Sequence, residues 1–224
     1  MKLPPRLEYI LSLTESSRHT VDVGSDHGKL AVALALSGKA ERVTASDVNA
    51  GPLSKAEALI EKLCVGDKVA TRLADGLNGF ECEGVDQVII AGMGGELIRD
   101  IIAAAPWVKA DGVLLILQPM TTAPELRRYL FEEGFRIERE GAVVEGRRPY
   151  EVITARYDGV VRECAPEDAE IGGFLDKDDS AVRALLLKKR TALKKRLIGA
   201  EKENSGETLT LKRVIAEIDR RLEE

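Results

Sequence analysis

Only three cysteines occur in the 224 residues, Cys64, Cys82 and Cys164, and none is close to another. An odd number with no close pair supports neither a disulfide framework nor a zinc pattern, and no metal is expected. Long apolar runs are also missing. Val113–Leu117 is a block of strand length, far short of the ~20 residues a membrane helix needs. The N-terminus has no charged start leading into a long apolar stretch and a small-residue cleavage site, so no signal peptide is expected. Together these absences point to a reducing, cytoplasmic setting away from membranes. Aromatic residues make up 4% of the chain. Against these scarcities stand 44% hydrophobic and 32% charged residues, enough for a sizeable core in a soluble protein. The length suits one domain of usual size plus a smaller piece.

The net charge of −5 is unevenly spread. Residues 181–224 hold 12 Lys+Arg against 7 Asp+Glu, a net +5, while residues 1–180 hold 21 against 31, a net −10. An acidic body argues against non-specific nucleic-acid binding over the whole surface and leaves room for a local basic patch.

Short apolar runs alternate with helical patterns over residues 20–157. Strands are expected at Thr20–Val23, Arg42–Ser46, Val69–Leu73, Val85–Ala91 and Gly112–Gln118. Helices are expected near Asp26–Ser37, Pro52–Leu63, Glu96–Ala104 and Thr122–Glu133. Such alternation means βαβ units and a parallel sheet. Phe135–Val144 and Tyr150–Tyr157 then follow with no helix between them, which predicts an antiparallel hairpin on the sheet edge. A doubly wound α/β, Rossmann-like sheet ending in such a hairpin has the layout of class I methyltransferases. Ahead of it, Leu7, Ile10, Leu11 and Leu13 have the spacing of a short amphipathic helix, on which Arg6 faces either the site or only solvent, solvent being the first reading. Residues 1–158 form the expected domain, and 159–180 an acidic, loop-like linker. Residues 181–224 are expected to form a helical hairpin. Val182, Leu186, Leu193 and Leu197, and then Leu211, Ile215, Ile218 and Leu222, recur at helical or heptad spacing around Asn204-Ser205-Gly206, as in a coiled coil.

The strongest motif is Val21-Asp22-Val23-Gly24-Ser25-Asp26-His27-Gly28, a strand running through a glycine turn into a helix. Gly24 permits a tight turn and close ligand approach. The pattern Asp-x-Gly-x-x-x-Gly lacks the full Gly-x-Gly-x-x-Gly of dinucleotide binders. S-adenosylmethionine has no pyrophosphate for a helix N-terminus to cradle. Its ammonium and sulfonium favour acidic neighbours, which Asp22 and Asp26 supply; the plainer alternative is a structural turn capped by Ser25 or Asp26. Asp47 ends the second strand where an acidic residue accepts from ribose hydroxyls, or caps the next helix. Asp75, before Gly76, can accept from an adenine amino group, or simply form an Asp-Gly turn. Ala91-Gly92-Met93 leads a glycine-rich strand end that presents backbone to a planar ligand. The candidate cofactor set is therefore Asp22, Gly24, Ser25, Asp26, Asp47, Val48, Asp75, Gly76, Ala91, Gly92 and Met93. No Asn-Pro-Pro-Tyr motif occurs, which favours a ring nitrogen over an exocyclic amine as methyl acceptor.

Asp-Val-Gly-Ser-Asp-His at 22–27, Ala-Gly-Met-Gly-Gly at 91–95, Leu-Gln-Pro at 117–119 and Tyr-Glu-Val at 150–152 resemble the bacterial TrmK family of tRNA (adenine(22)-N1)-methyltransferases. The resemblance covers roughly residues 1–158, and the C-terminal hairpin matches the family's layout. It implies that Gly24, Asp26, Asp47, Asp75 and Gly92 surround the cofactor and that tRNA is the substrate. Adenine N1 becomes cationic as it takes the methyl, so a carboxylate beside it would stabilise the developing charge. Asp26 is the candidate, with His27 as hydrogen-bonding or proton-handling neighbour, or as a residue that only packs. A flipped base commonly stacks on an aromatic ring; Tyr150, Tyr9 and Trp107 are the candidates, Tyr150 adjoining a matched motif, with an ordinary strand residue as its first alternative. Basic clusters occur at Arg127-Arg128, Arg147-Arg148, Lys188-Lys189-Arg190 and Lys194-Lys195-Arg196. Arg147, Lys188, Lys189 and Lys195 are the candidate phosphate contacts, the alternative being a solvated coiled-coil face. A small-molecule methyltransferase, a non-catalytic RNA-binding protein and a nicotinamide-binding fold remain as rival readings.

Overall fold

The computed structural model describes residues 1–81, 84–173 and 179–223; Cys82 lies outside them. Among the described residues, seven strands form one sheet in the order β3-β2-β1-β4-β5-β7-β6. They are β1 (Ser17–Val23), β2 (Ala40–Asp47), β3 (Val69–Leu73), β4 (Gln87–Gly94), β5 (Leu114–Thr121), β6 (Phe135–Glu145) and β7 (Arg148–Tyr157). The first five are mutually parallel. β7 enters antiparallel to β5 and carries β6 on its outer side, the expected hairpin. Helices α1 (Pro5–Leu13), α2 (Lys29–Ser37), α3 (Ala50–Lys62), α4 (Gly95–Ala103) and α5 (Ala123–Glu132) join or flank the strands. The fold is a Rossmann-like methyltransferase sheet with C-terminal helices.

Alternation along the central strands builds two cores. Val88 and Ile90 of β4 join Leu115 and Leu117 of β5 in one cluster. Ile89, Leu114 and Ile116 face the other way, against Leu30, Ala31 and Leu34 of α2. Successive side chains on a strand point to opposite faces, so both faces of this sheet are covered. All five parallel strands end at one edge, and with them Asp22 near the end of β1, Asp47 at the end of β2 and Asp75 just past β3.

The stretch expected to be a linker differs from expectation. It contains α6 (Pro166–Ile171), whose Ala169 and Ile171 are fully buried; residues 174–178 lie outside the described residues. α7 (Ser180–Lys202) and α8 (Thr208–Glu223) form the C-terminal hairpin. Leu211, Val214, Ile215, Ile218 and Leu222 of α8 pack with Leu185, Leu186 and Leu193 of α7 and with Ala142 of β6. Helices in proteins draw most of their stability from packing an amphipathic face, and each buried apolar side chain contributes roughly 1.5–3 kcal/mol. The hairpin is thus seated on the sheet.

An ionic cluster ties that seat together. Arg127 of α5 is fully buried. Its Nε donates to Glu140 of β6 at 2.6 Å, its Nη1 to the Ala169 carbonyl at 3.0 Å, and its Nη2 to Glu151 of β7. Lys189 of α7 donates to Glu151 at 2.9 Å and to the Glu170 carbonyl at 2.9 Å. Burial would raise the Glu151 carboxyl, but Lys189 and Arg127 outweigh it and hold it at about 2. Charges can be buried here because each has opposite partners and hydrogen bonds.

Candidate active site

The turn after β1 is fastened to β2: the N–H groups of Gly24 and Ser25 both donate to the Ser46 carbonyl, at 2.8 and 3.0 Å. Gly24 has φ +69°, and a Cβ there would collide with the Met93 methyl. Gly28 also has φ +69°, and its Cβ would sit 2.7 Å from that of Ala56 in α3. One glycine keeps the strand end open, and the other lets α2 and α3 close on each other.

Asp22 is buried. It accepts from Ser25 Oγ at 2.5 Å. Burial pushes its carboxyl up to about 6, with the Ser25 hydroxyl and an Ala31 backbone bond opposing. Asp22 makes no ion pair among the described residues. Ser25 therefore orients Asp22 and does not cap α2, whose N-cap is Gly28. Asp26 stands at φ +40°, an uncommon conformation that short polar side chains tolerate. Its carboxylate is 76% exposed, with His27 Nδ1 2.8 Å away.

Asp47 is half-buried and accepts the Asn49 N–H at 2.8 Å. Beside it Val48 leaves 62% of its surface exposed. Asp75 is exposed in the turn that Gly76 (φ +59°) makes after β3. β4 runs past Ala91 to Gly94 through a register shift at Gly92 (φ +81°). The strand was expected to stop at Ala91; this bulge carries it on.

A cavity of about 240 Å³ brings together Asp22, Gly24, Ser25, Asp26, Ala91 and Gly92, with Arg6, Leu7 and Leu30 completing the wall. Asp47, Val48, Asp75 and Gly76 continue along the same sheet edge outside it. Met93 packs toward the core.

Arg6 takes the second of its two expected readings. It faces this cavity and not solvent, because its Nη1 donates to Gln118 Oε1 at 2.6 Å. Gln118, fully buried, also accepts the Gly92 N–H at 3.1 Å. Sequence reasoning passed over Gln118; a lone amide in the apolar run of β5 was the available signal, since a buried amide needs partners. Arg6 also lies over the Tyr150 ring, 5.7 Å from its centroid.

Tyr150 belongs to a second cavity of about 660 Å³, with Arg147, Arg148 and Lys188 on its wall and Met120 and Leu187 as apolar lining. Tyr150, Arg147 and Lys188 are therefore together. Lys195 is exposed further along α7. Lys189 is not with them: its ammonium is committed to Glu151 and two carbonyls, and burial pushes its pKa down. Lys189 is a buried structural cation, unsuited to a phosphate. Arg127 is buried likewise, and Arg128 pairs with Glu125. Arg190 and Lys194 face Asp219, and Arg196 faces Glu170 and Glu207. Of the other aromatics, Trp107 packs on the core before β5, at the opposite sheet edge, and Tyr9 lies against Gly141 of β6.

A family described as a methyltransferase domain matches residues 3–153. The tRNA (adenine(22)-N(1))-methyltransferase of Bacillus subtilis is 31% identical over 189 residues, covering 81% of this chain and 78% of that protein. The chain belongs to this methyltransferase family. Streptococcus pneumoniae Sp1610, solved in complex with S-adenosyl-L-methionine, superposes with a TM-score of 0.81 at 30% identity, covering 97% of this chain and 98% of that one. The B. subtilis tRNA methyltransferase TrmK superposes at 0.79 with 26% identity, covering 99% and 96%. Both superpositions extend over the C-terminal hairpin, so the hairpin is part of the shared architecture. No described helix is long and apolar enough to cross a membrane, and no described cluster of His, Cys, Asp and Glu has the makings of a metal site.

Proposed function

We propose that this chain transfers the methyl group of S-adenosylmethionine to N1 of adenosine 22 in tRNA. The observation that carries the reading is the adjacency of two cavities. Arg6, on the wall of the acid-lined cavity at Gly24, lies over the ring of Tyr150, on the wall of the basic, aromatic cavity. One suits a cationic nucleoside cofactor, and the other a base with its phosphates.

S-adenosylmethionine supplies an electrophilic methyl on a sulfonium. The buried, unpaired Asp22 carboxylate faces the ammonium end, and the Gly24 turn leaves the ligand room. Asp47 accepts from ribose hydroxyls and Asp75 from the adenine amino group, with Val48 offering apolar surface between them. Adenine N1 holds its lone pair in the ring plane, so attack needs no prior deprotonation. The ring gains a positive charge as the new bond forms. Asp26, exposed at the mouth, stabilises that charge; when His27 Nδ1 carries a proton, it donates to Asp26 and steadies the carboxylate. N1 lies on the Watson–Crick edge, so the base must leave its pair, and Tyr150 offers a ring to stack on. Arg147, Lys188 and Lys195 hold phosphates without reading sequence.

The test is transfer of labelled methyl from S-adenosylmethionine to two tRNA transcripts, one with adenosine and one with guanosine at position 22. Label in the adenosine transcript alone is expected. Label in both places the target elsewhere, and label in neither, with cofactor binding intact, removes tRNA as the acceptor.

A further inference from the structure

Strands β5 and β7 separate before they end. Among the described residues, their ladder runs through Leu115↔Ala155, Ile116↔Thr154 and Leu117↔Ile153 and stops there. Beyond it β5 stays with β4 as far as Thr121, and β7 stays with β6 as far as Arg148. The two strand ends thus make a fork. We propose that this fork holds the adenine ring that takes the methyl, with Met120 of β5 as the wall opposite Tyr150 of β7. The inference rests on the tRNA reading above and adds to it a second base-binding residue.

Alternation places both side chains. Leu114 and Ile116 of β5 face the core beneath α1 and α2, so Gln118 and Met120 share that face. Val152 of β7 faces the same core, and Tyr150, two residues away, lies beneath Arg6 of α1. Opposite residues of an antiparallel pair share a face. The pairing Leu117↔Ile153, carried three residues further on each strand, sets Met120 against Tyr150. Both line the cavity of about 660 Å³.

The lining suits one nucleotide. Met120 is 41% exposed and Leu187 of α7 38%, and Arg147, Arg148 and Lys188 stand on the same wall. Exposed apolar surface with a polar rim marks a binding site; here the apolar part fits a ring and the cations its phosphates. Met120 is also held. Gln118 Nε2 donates to its sulfur at 3.6 Å, while Gln118 Oε1 accepts the Gly92 N–H at 3.1 Å. Gly92 lines the acid-lined cavity, so a single buried amide lies between that cavity and the fork. A polarisable thioether on an unbranched chain makes favourable contact with an aromatic ring and adapts to its position.

The test is a thermodynamic cycle of proteins against RNAs. Binding is measured for the unsubstituted chain and for Met120→Ala, each with a tRNA carrying adenosine at position 22 and with the same tRNA made abasic there. Met120→Ala is expected to weaken binding of the adenosine tRNA by about 3- to 10-fold, the worth of a thioether against an aromatic ring, and to leave the abasic tRNA unchanged. Met120→Leu keeps the apolar surface and should recover most of the loss. Affinity for S-adenosylmethionine, measured by calorimetry, should be the same in all three proteins. Equal losses for both RNAs, or none for either, would overturn the assignment, because Met120 would then touch no base. A loss of cofactor affinity matching the RNA loss would also overturn it and make Met120 a packing residue. No methyl transfer by the unsubstituted chain to the adenosine tRNA would instead overturn the tRNA reading beneath it.

Discussion

Replacing Asp22 by Asn should stabilise the protein at neutral pH while impairing cofactor binding. The carboxyl sits at about 6 against its ordinary 3.8 because burial opposes its charge. A folded-state pKa above the unfolded value means the native state binds more protons between those two limits. Stability attributable to Asp22 is therefore intact below about pH 4, falls as pH rises to about 6, and stays reduced above. The full penalty is about 3 kcal/mol. Asn carries no charge but accepts less well from Ser25 and Ala31, which costs about 1 kcal/mol. The net gain at pH 7.5 is then about 2 kcal/mol, and each kcal/mol moves the midpoint by roughly 2–4 °C in a chain of this size. Urea unfolding of both proteins from pH 4.5 to 7.5 measures it. The difference should widen between those limits and level off above pH 6. A difference independent of pH would refute the reasoning, because it would mean that Asp22 carries no buried charge. In the same window, affinity of the unsubstituted protein for S-adenosylmethionine should rise with pH, since an ammonium needs the ionised carboxylate, and Asp22→Asn should lose that dependence.

Three other outcomes are expected. Asp26→Asn keeps the φ +40° turn accessible and should lower kcat by about 10²-fold, with the cofactor Kd unchanged in calorimetry; a matching loss of affinity would make Asp26 a cofactor residue. Lys189→Met leaves a buried carboxylate undercompensated and should cost about 3 kcal/mol in urea unfolding, whereas Lys189→Met with Glu151→Gln should cost less than the sum of the two single changes; additivity would mean that the pair is not coupled. Lys188→Ala with Lys195→Ala should reduce the salt dependence of tRNA binding by about 1.5 in the log–log slope, for two lost phosphate contacts; an unchanged slope removes both lysines from the interface.

The strands, the glycine turn and the row of acidic residues were legible in the sequence because they depend on local pattern. Short continuous apolar runs mark strands covered on both faces, and Gly24 and Asp22 are read in one short segment. What the sequence left open depends on residues far apart in the chain. Arg6 turns from solvent to the cavity because Gln118, 112 positions later, holds its Nη1. Gln118 was visible within a motif but had no assigned work until Gly92 and Arg6 met on its oxygen. The segment 159–180 looked like a linker because acidic residues dominate it, yet buried Ala169 and Ile171, with the carbonyls that Arg127 and Lys189 hold, anchor α6 to the body. Spacing on α7 could say that residues seven apart share a face; it could not say which face meets the sheet.

That last point recasts the charge asymmetry. A net +5 over residues 181–224 suggests a basic surface for RNA, but much of the positive charge faces acidic partners in the fold. Lys189 neutralises Glu151 in the buried cluster, Arg190 and Lys194 face Asp219, and Arg196 bridges Glu170 and Glu207. Exposed pairs of this kind contribute little stability one by one, yet they hold down the outward positive potential of the hairpin. Lys188 and Lys195 remain without an ion pair among the described residues, and of these only Lys188 stands on the wall shared with Arg147, Arg148 and Tyr150. The basic surface that matters is thus small, composite and built half from the β6–β7 turn. It lies beside the mouth of the acidic cavity because Glu151, next to Tyr150 on β7, is the residue that Lys189 grips. The buried ion pair and Lys188 are neighbours on one helix, so under the proposed function the register of α7 on the sheet sets where the substrate's phosphates would rest.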